Sequence, residues 1–290
     1  MQSTRLKYAN RALAINYFPA AGAQQHVVIA PALGVKQRFY HRFAQWLAEQ
    51  GIAVTCFDYY GIGDSIDKPL SKIETDIIDW ATLDLDNVLT WAQEQLPSAE
   101  LIWLGHSLGG QLLGLIPHPE RIDRIVTVAS GTGYWRQASS QVRRTSWLLW
   151  YLAIPLATPI AGYFPGKRLN MVGDMPAQAM RQWSRWCRSR NYLFDHLSTE
   201  QLKGYQRLTQ SYHAFAISDD ELLVEDNVRA LLQRYPNTQQ KLTHLTPQQA
   251  GRRIGHFNIF KPTHQQTLWQ KALLPAIKAD QTARLVTEEN

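Results

Sequence analysis

The clearest chemical signature in this sequence is a short motif in which glycines flank one serine. Residues 105–109 are Gly-His-Ser-Leu-Gly, follow the apolar run 101–104 and precede a predicted helix. A serine turned sharply from a strand into a helix has a crowded backbone, so small residues must flank it. The turn exposes the hydroxyl, and the helix N-terminus stabilises developing negative charge. Ser107 is therefore the predicted nucleophile and the N–H of Leu108 a predicted oxyanion donor, against the alternative of a plain glycine-rich turn.

A nucleophilic serine needs a general base, and the chain contains nine histidines. His256 lies in Gly-His-Phe-Asn at 255–258, after the last predicted strand and before the C-terminal helix. A loop at this place lets an imidazole reach across the edge of the sheet to the serine. His256 is the predicted base, against the alternative of a surface or capping histidine. His106, beside the serine, is expected to pack under the turn.

A carboxylate must fix the tautomer of such a histidine and stabilise its imidazolium form. Asp219, Asp220 and Glu221 follow the predicted strand 212–217. Either aspartate can be the acid. The alternative is that these acidic residues only cap the next predicted helix.

The elements that must position these residues alternate between strands and helices from residue 26 onward. This alternation predicts an α/β fold, a mostly parallel sheet with helices on both faces. It breaks at 131–210, where no clear strand is present and an inserted helical cap is predicted. The core then comprises 1–130 and 211–290, with a frayed polar tail at Thr287–Asn290. Predicted strands are 26–30, 52–59, 101–104, 122–129, 212–217 and 241–245; predicted helices are 37–50, about 75–91, 108 to about Ile116, 228–235 and 264–277.

Composition limits the class of protein further. With 290 residues, 45% hydrophobic and 19% charged, the chain is typical of a globular protein. Cys56 and Cys187 form no metal-ligand spacing, so no metal site and a reducing, cytoplasmic compartment are expected. No dinucleotide or Walker fingerprint is present, and no cofactor is expected.

Residues 1–16 lack the apolar run of a signal peptide. Residues 147–164 are uncharged, but two prolines and a glycine interrupt them, which favours a buried or lid helix pair over a membrane span.

Three features together resemble the α/β-hydrolase superfamily of esterases, lipases and thioesterases. They are Gly-His-Ser-Leu-Gly-Gly at 105–110, the run Phe-Asp-Tyr-Tyr-Gly-Ile-Gly-Asp-Ser at 57–65, and the chain order Ser, Asp, His. The resemblance covers nearly the whole chain outside the predicted cap. It implies the α/β-hydrolase fold and a serine hydrolase that cleaves a carboxylic ester or thioester through an acyl-enzyme. Asp58 and Asp64, within the second motif, are interpreted as structural hydrogen-bonding residues.

The resemblance also implies the two remaining site residues. The family's aspartate precedes a short apolar turn, and Asp220 precedes Glu-Leu-Leu-Val at 221–224. The resemblance therefore favours Asp220 over Asp219 as the acid. It also places the second oxyanion donor in the loop Pro-Ala-Leu-Gly at 31–34, at the N–H of Leu33.

Positive charge is concentrated in the predicted cap. Of the net charge of +6, residues 131–210 contribute 11 Lys and Arg against 3 Asp and Glu, whereas the rest of the chain has 19 against 21. Such a patch suits nucleic acid, anionic lipid or an anionic substrate. No nucleic-acid-binding motif supports the first of these. Contact between the cap and a membrane surface stays open.

Helical spacing separates arginines from tryptophans in the cap. Arg181, Arg185 and Arg188 fall on one face of a helix, and Trp183 and Trp186 fall on another. This favours a small-molecule ester with an apolar acyl part and an anionic remainder as substrate. The alternative is that the tryptophans only join cap to core and the arginines are solvated.

Two other functions are compatible with the same residues. An acyltransferase would pass the acyl group to an alcohol or amine instead of water. A catalytically silent binding protein would keep the fold without the reaction. The presence of serine, aspartate and histidine at the expected positions favours an enzyme.

Overall fold

The core of the protein is an eight-stranded β-sheet, seen in a computed structural model that describes residues 1–169 and 173–278. In chain order the strands are β1 (Gln2–Tyr8), β2 (Arg11–Phe18), β3 (Gln25–Ala30), β4 (Ala53–Phe57), β5 (Glu100–His106), β6 (Arg124–Val128), β7 (Tyr163–Phe164), β8 (Met175–Pro176), β9 (Ser211–Ile217) and β10 (Gln239–Leu245). The large sheet has the order β1-β2-β4-β3-β5-β6-β9-β10. The strands from β4 to β10 in this order are parallel, and β2 is antiparallel to β1 and β4. The predicted mostly parallel sheet is confirmed.

Helices cover both faces of this sheet. They are α1 (His41–Glu49), α2 (Ile77–Asp79), α3 (Asp86–Gln95), α4 (Leu108–Gln111), α5 (Ser140–Leu148), α6 (Ile154–Ala161), α7 (Ala177–Arg188), α8 (Thr199–Gln206), α9 (Glu225–Leu232), α10 (Pro247–Ala250) and α11 (Leu274–Lys278). Wider π-helical stretches, Trp80–Leu85, Leu149–Ala153 and Gln265–Leu273, join α2 to α3, join α5 to α6 and lead into α11. One hydrophobic cluster joins α1 and the C-terminal helical run to the sheet, and a second joins α3 and residues from 131–210 to it.

The central strands form because their apolar runs are covered on both faces. Strands β4 and β6 are buried at every position, and β3 and β5 at every position after the first. Continuous burial of this kind is typical of parallel strands between two helical layers. Because parallel strands end at the same edge of a sheet, the loops after β3, β5 and β9 lie near one another. These loops contain Leu33, Ser107 and Asp220.

The N-terminal hairpin of β1 and β2 was not among the predicted elements. Strand β1 is largely exposed and polar, so it lacks the apolar run on which strand prediction depends. The hairpin joins the sheet through the pairing of β2 with β4. A buried carboxylate, Asp84, holds it further by accepting hydrogen bonds from the Tyr8 hydroxyl at 2.6 Å and Arg11 Nη1 at 3.0 Å. These partners come from distant parts of the chain and carry no local signal.

The helix after Ser107 is shorter than predicted. It was expected to continue to about Ile116, but α4 ends at Gln111 and a short 3₁₀ turn follows. Glycines in this stretch lower helix propensity. They also permit close packing, because a Cβ atom on Gly114 would overlap the ring of Tyr205.

The segment 131–210 lies between the end of β6 and the start of β9. It contains α5 to α8 and a small antiparallel ribbon in which Tyr163 pairs with Pro176 and Phe164 with Met175. This ribbon corrects the expectation that the segment has no strand. Its division from the rest of the chain as a cap, with core boundaries at 1–130 and 211–290, stays a prediction. The predicted polar tail at 287–290 lies outside the described residues.

Candidate active site

Ser107 occupies a strained turn between β5 and α4. Its φ of 51° and ψ of −113° lie outside the regions that non-glycine residues favour. Such a conformation costs about 1–3 kcal/mol and persists only where the surroundings enforce it. Here close packing does so. A Cβ atom on Gly105 would lie 2.6 Å from the backbone nitrogen of Gly110, and one on Gly109 would overlap the carbonyl oxygen of Ala30.

The ring of His256 connects the serine to a carboxylate. Its Nε2 lies 2.9 Å from Ser107 Oγ, and its Nδ1 lies 2.7 Å from Asp220 Oδ2. Both His256 and Asp220 are buried. A carboxylate can only accept, so Nδ1–H donates to Asp220 and Nε2 is left to accept the serine proton. The structure thus brings together the three residues named from the sequence, in the geometry of a nucleophile, a base and an orienting acid.

The two oxygens of Asp220 have different partners. Oδ1 accepts the backbone N–H groups of Leu222 at 2.7 Å and Leu223 at 3.0 Å. Oδ2 is therefore turned toward His256. Two backbone donors hold the carboxylate in one rotamer, and hydrogen bonds to a charged acceptor are the stronger kind.

The neighbouring acidic side chains hold the loop that carries His256 and not its ring. Asp219 accepts the backbone N–H groups of Ile254 at 3.0 Å and Gly255 at 3.1 Å. Glu221 accepts the backbone N–H of His256 at 3.3 Å. Sequence reasoning treated Asp219 only as a rival for the acid or as a helix cap. Its contact with the histidine loop depends on tertiary structure.

Two backbone N–H groups near the serine have no acceptor among the described hydrogen bonds. Leu108 is the first residue of α4, where a backbone N–H has no acceptor within the helix. Among the described hydrogen bonds none engages the N–H of Leu33, whereas that of Ala32 is bonded to the Tyr40 hydroxyl oxygen at 3.0 Å. Leu33 and Leu108 line the same cavity as Ser107. The assignment of these two N–H groups as oxyanion donors stays a prediction.

A chain of hydrogen bonds behind the site joins two of its loops. The Tyr40 hydroxyl, which accepts from Ala32, lies 2.8 Å from His106 Nδ1. On the other side of the ring, His106 Nε2 lies 2.9 Å from the carbonyl oxygen of His256. That carbonyl can only accept, so Nε2–H donates and Nδ1 accepts the Tyr40 proton. Burial lowers the pKa of His106 to about 3, which keeps the ring neutral. His106 does lie under the turn, but it also links the Leu33 loop to the His256 loop.

The cavity above Ser107 has a volume of about 300 Å³ and a mostly apolar wall. One side comes from the sheet edge and its loops, including Leu222 and Leu223. The other comes from the segment 131–210, which supplies Trp135, Val142, Leu149, Trp150, Trp183 and Tyr192. The cavity suits an apolar group positioned next to a reactive serine.

Other candidate groups do not form a second reactive site. Asp58 is buried and accepts the backbone N–H groups of Gln37 at 2.7 Å and Asp64 at 2.9 Å, which is a structural role, while Asp64 itself is exposed. Within residues 1–169 and 173–278, no group of three or more His, Cys, Asp or Glu side chains could hold a metal ion. Cys56 and Cys187 are both buried and free.

A family model and many solved structures match this chain. The model of the family described as serine aminopeptidase, S33, matches residues 21–213 of the 290 residues. The chain belongs to this α/β-hydrolase family. The match includes the elbow serine and the whole of the segment 131–210, and it ends before Asp220 and His256.

Solved structures similar to this family member include several hydrolases. A soluble variant of monoglyceride lipase from Saccharomyces cerevisiae is 12% identical, with 91% of this chain and 92% of that chain covered and a TM-score of 0.62. An esterase from Thermogutta terrifontis is 14% identical, with 96% and 99% covered and a TM-score of 0.59. A thioesterase domain from the curacin biosynthetic pathway is 14% identical, with 92% and 97% covered and a TM-score of 0.57. At these identities the likeness concerns the fold.

Proposed function

We propose that this protein is a serine hydrolase that cleaves a carboxylic ester or thioester through an acyl-enzyme on Ser107. The observation that carries the proposal is the hydrogen-bonded series Ser107, His256 and Asp220 at a strained turn beside an apolar cavity. Close packing holds Ser107 in this strained conformation, and strained residues cluster at reactive sites.

Each residue has a defined part in the reaction. Ser107 Oγ attacks the carbonyl carbon while His256 Nε2 takes its proton, and Asp220 stabilises the imidazolium that results. The N–H groups of Leu33 and Leu108 donate to the oxyanion of the tetrahedral intermediate. His256 then returns the proton to the leaving alcohol or thiol, and the acyl group remains on Ser107. A water molecule activated by the same imidazole repeats the sequence and releases the carboxylic acid.

The substrate that fits best is a small ester with an apolar acyl part. The cavity of about 300 Å³ is at the small end of the range for small-molecule sites. Tryptophan, leucine and valine side chains line it, so an aliphatic chain gains from leaving water there. We assign the segment 131–210 as a cap over a core of 1–130 and 211–290, because it forms one wall of this cavity. The names of the esterase, lipase and thioesterase given above agree with acyl transfer to water.

Hydrolysis of p-nitrophenyl esters tests the proposal. Wild-type protein should hydrolyse a short-chain ester, and Ser107→Ala should abolish turnover with nearly unchanged thermal stability, because one hydroxyl at an elbow contributes little to packing. The same reaction with added alcohol or amine separates hydrolysis from acyl transfer by its products. If Ser107→Ala retains more than a few per cent of wild-type turnover, Ser107 is not the nucleophile.

A further inference from the structure

The most exposed apolar surface of the described chain is one side of the helical run 140–161. This run consists of α5, the π-helical stretch Leu149–Ala153 and α6. Its exposed large side chains form a surface that we call the apolar face. It comprises Trp147, Leu148, Tyr151, Leu152, Leu156 and Ile160, with exposed fractions between 40% and 86%.

The apolar face is continuous because its members follow one another at a spacing of four residues. One row is Trp147, Tyr151, Pro155 and Pro159, and the adjacent row is Leu148, Leu152, Leu156 and Ile160; all eight are exposed. Residues four apart are neighbours on a helix surface. Soluble proteins expose single apolar residues freely, but a contiguous patch marks an interaction surface.

The opposite side of the same helical run is occupied. Ser146, Trp150, Ile154 and Thr158 are buried at the same spacing of four. Val142, Leu149 and Trp150 also contribute to the wall of the cavity above Ser107. The run therefore does not need the apolar face for its attachment to the rest of the molecule.

The charged residues within the helical run and in the chain directly after it are basic. Residues 131–173 contain no Asp or Glu. Arg143 and Arg144 are exposed and begin the two rows, and Lys167 and Arg168 follow the run in the chain. Of these, Lys167 pairs with Asp174 at 3.3 Å. From the adjacent α7, the guanidinium carbon of Arg188 lies 5.5 Å from the ring centroid of Tyr151.

We propose that the apolar face docks on the surface of an anionic lipid bilayer. A helix lying in the interface has an apolar side with tryptophan or leucine and a basic surround that meets phosphate headgroups. Trp147 and Tyr151 are residue types that favour this boundary, since each has an apolar ring and a polar atom. None of the helices in the described ranges is long and apolar enough to cross a membrane.

The charges favour lipid over a second copy of this chain as the occupant. Pairing two copies through the apolar face would bring together two runs without Asp or Glu, so Arg143 and Arg144 of one copy would meet no opposite charge on the run of the other. An anionic bilayer neutralises them instead. If the proposed function holds, docking also places the acyl cavity about one helix diameter, roughly 10 Å, from the lipid.

Sedimentation of the full-length protein with lipid vesicles tests the proposal. The vesicles are phosphatidylcholine alone or phosphatidylcholine mixed with phosphatidylglycerol. Wild-type protein should bind the phosphatidylglycerol vesicles, and binding should weaken with salt because exposed charges are screened. The double variant Leu156→Glu/Ile160→Glu should bind about tenfold more weakly or worse, because two apolar contacts become charged ones. Arg143→Glu/Arg144→Glu should lose the preference for the anionic vesicles.

Leu83→Glu is the matched control, since Leu83 is an exposed leucine, 37% accessible, on another helical run. It should bind vesicles like the wild type. All variants should keep wild-type hydrolysis of a short soluble ester, which shows that they are folded. Equal vesicle binding by wild type and both double variants overturns the proposal. So does a dimer in analytical ultracentrifugation that Leu156→Glu/Ile160→Glu dissociates while wild type binds no vesicles.

The vesicle and ester measurements test the two proposals separately, so one proposal can fail while the other stands. Ester hydrolysis without vesicle binding overturns only the lipid proposal. Vesicle binding without hydrolysis supports the lipid proposal and removes the proposed function.

Discussion

The hydroxyl of Tyr40 lies 2.8 Å from Nδ1 of His106, and this hydrogen bond joins the two loops that flank Ser107. Tyr40 also accepts from the backbone N–H of Ala32, next to the proposed oxyanion donor, and His106 donates to the carbonyl of His256. Neither side chain has a place in the reaction itself. We interpret both as positioning residues.

Tyr40→Phe should therefore lower kcat more than it changes KM. The variant leaves the buried Ala32 N–H and His106 Nδ1 without partners, which costs roughly 1–3 kcal/mol each where no water replaces the hydroxyl. The two loops then shift, and they no longer hold the base and the oxyanion donor in the positions that the reaction needs. Tyr59→Phe is the matched control, because the Tyr59 hydroxyl is buried and makes no hydrogen bond in the described structure. Equal kinetics for the two variants would leave the Tyr40–His106 pair without a positioning role.

Substitution by asparagine should separate the two neighbouring aspartates. Asp220→Asn removes the charge beside His256 Nδ1, and loss of an orienting carboxylate costs roughly 10³–10⁴-fold in turnover. Asp219→Asn keeps one oxygen for the Ile254–Gly255 backbone and should cost less than about tenfold. Steady-state kinetics of both variants on one ester is the measurement. A mild Asp220→Asn with a crippled Asp219→Asn would reverse the assignment.

Acid should destabilise the fold through His26. This ring is buried, with Nδ1–H donated to the Ala92 carbonyl at 3.1 Å and Nε2 accepting from the Thr55 hydroxyl at 2.7 Å. Burial lowers the pKa of His26 to about 4. Between pH 6.5 and 4 the unfolded chain binds a proton there that the folded chain does not, so stability is present above this window and is lost as the pH falls through it.

The free energy of unfolding should therefore decrease with acidification by up to about 1.4 kcal/mol per pH unit for each such histidine. Urea denaturation at a series of pH values measures this slope. His26→Gln should be less stable near neutral pH but should show a shallower slope between pH 6.5 and 4. An unchanged slope would mean that protonation of His26 does not cause the pH dependence of the free energy of unfolding.

Salt should weaken catalysis on anionic esters but not on neutral ones. Arg181, Arg185 and Arg188 are exposed on one face of α7, whereas Trp186 is buried and Trp183 lines the acyl cavity. Exposed charges are screened over about 10 Å at 0.1 M salt. The value of kcat/KM should fall with ionic strength for an ester with a negatively charged leaving group, and stay constant for a neutral ester of equal chain length. If kcat/KM for the two esters responds equally to salt, these arginines are only a solvated face and have no role in substrate choice.

The sheet could be predicted from the sequence because its central strands are apolar along their length. Strands β3 to β6 stand out as short hydrophobic runs between turn residues, and covering them on both faces requires the alternating helices. Strand β1 was missed because it is largely exposed and polar, whereas β2 was missed although six of its eight positions are buried. The contact of Tyr8 and Arg11 with Asp84, which helps to hold the hairpin, spans more than seventy positions of the chain.

The proposed nucleophile also has a signal in the sequence, since a local constraint marks it. Ser107 needs small residues at fixed offsets, which gives a readable motif. The residues that support the site carry no such mark. Tyr40 is an ordinary aromatic at the start of a helix, and Asp219 differs from Asp220 only in where the folded loop places each carboxylate. Their roles depend on contacts between distant loops, which no local pattern encodes.

The most direct test of the central claim is covalent labelling by a fluorophosphonate, followed by mass spectrometry of the modified peptide. Such a probe traps an activated serine as a stable adduct. The account predicts one adduct on Ser107 in the wild-type protein, none in Ser107→Ala, and labelling slowed by orders of magnitude in His256→Ala. An unlabelled wild type, or an adduct on a serine other than Ser107, would contradict it.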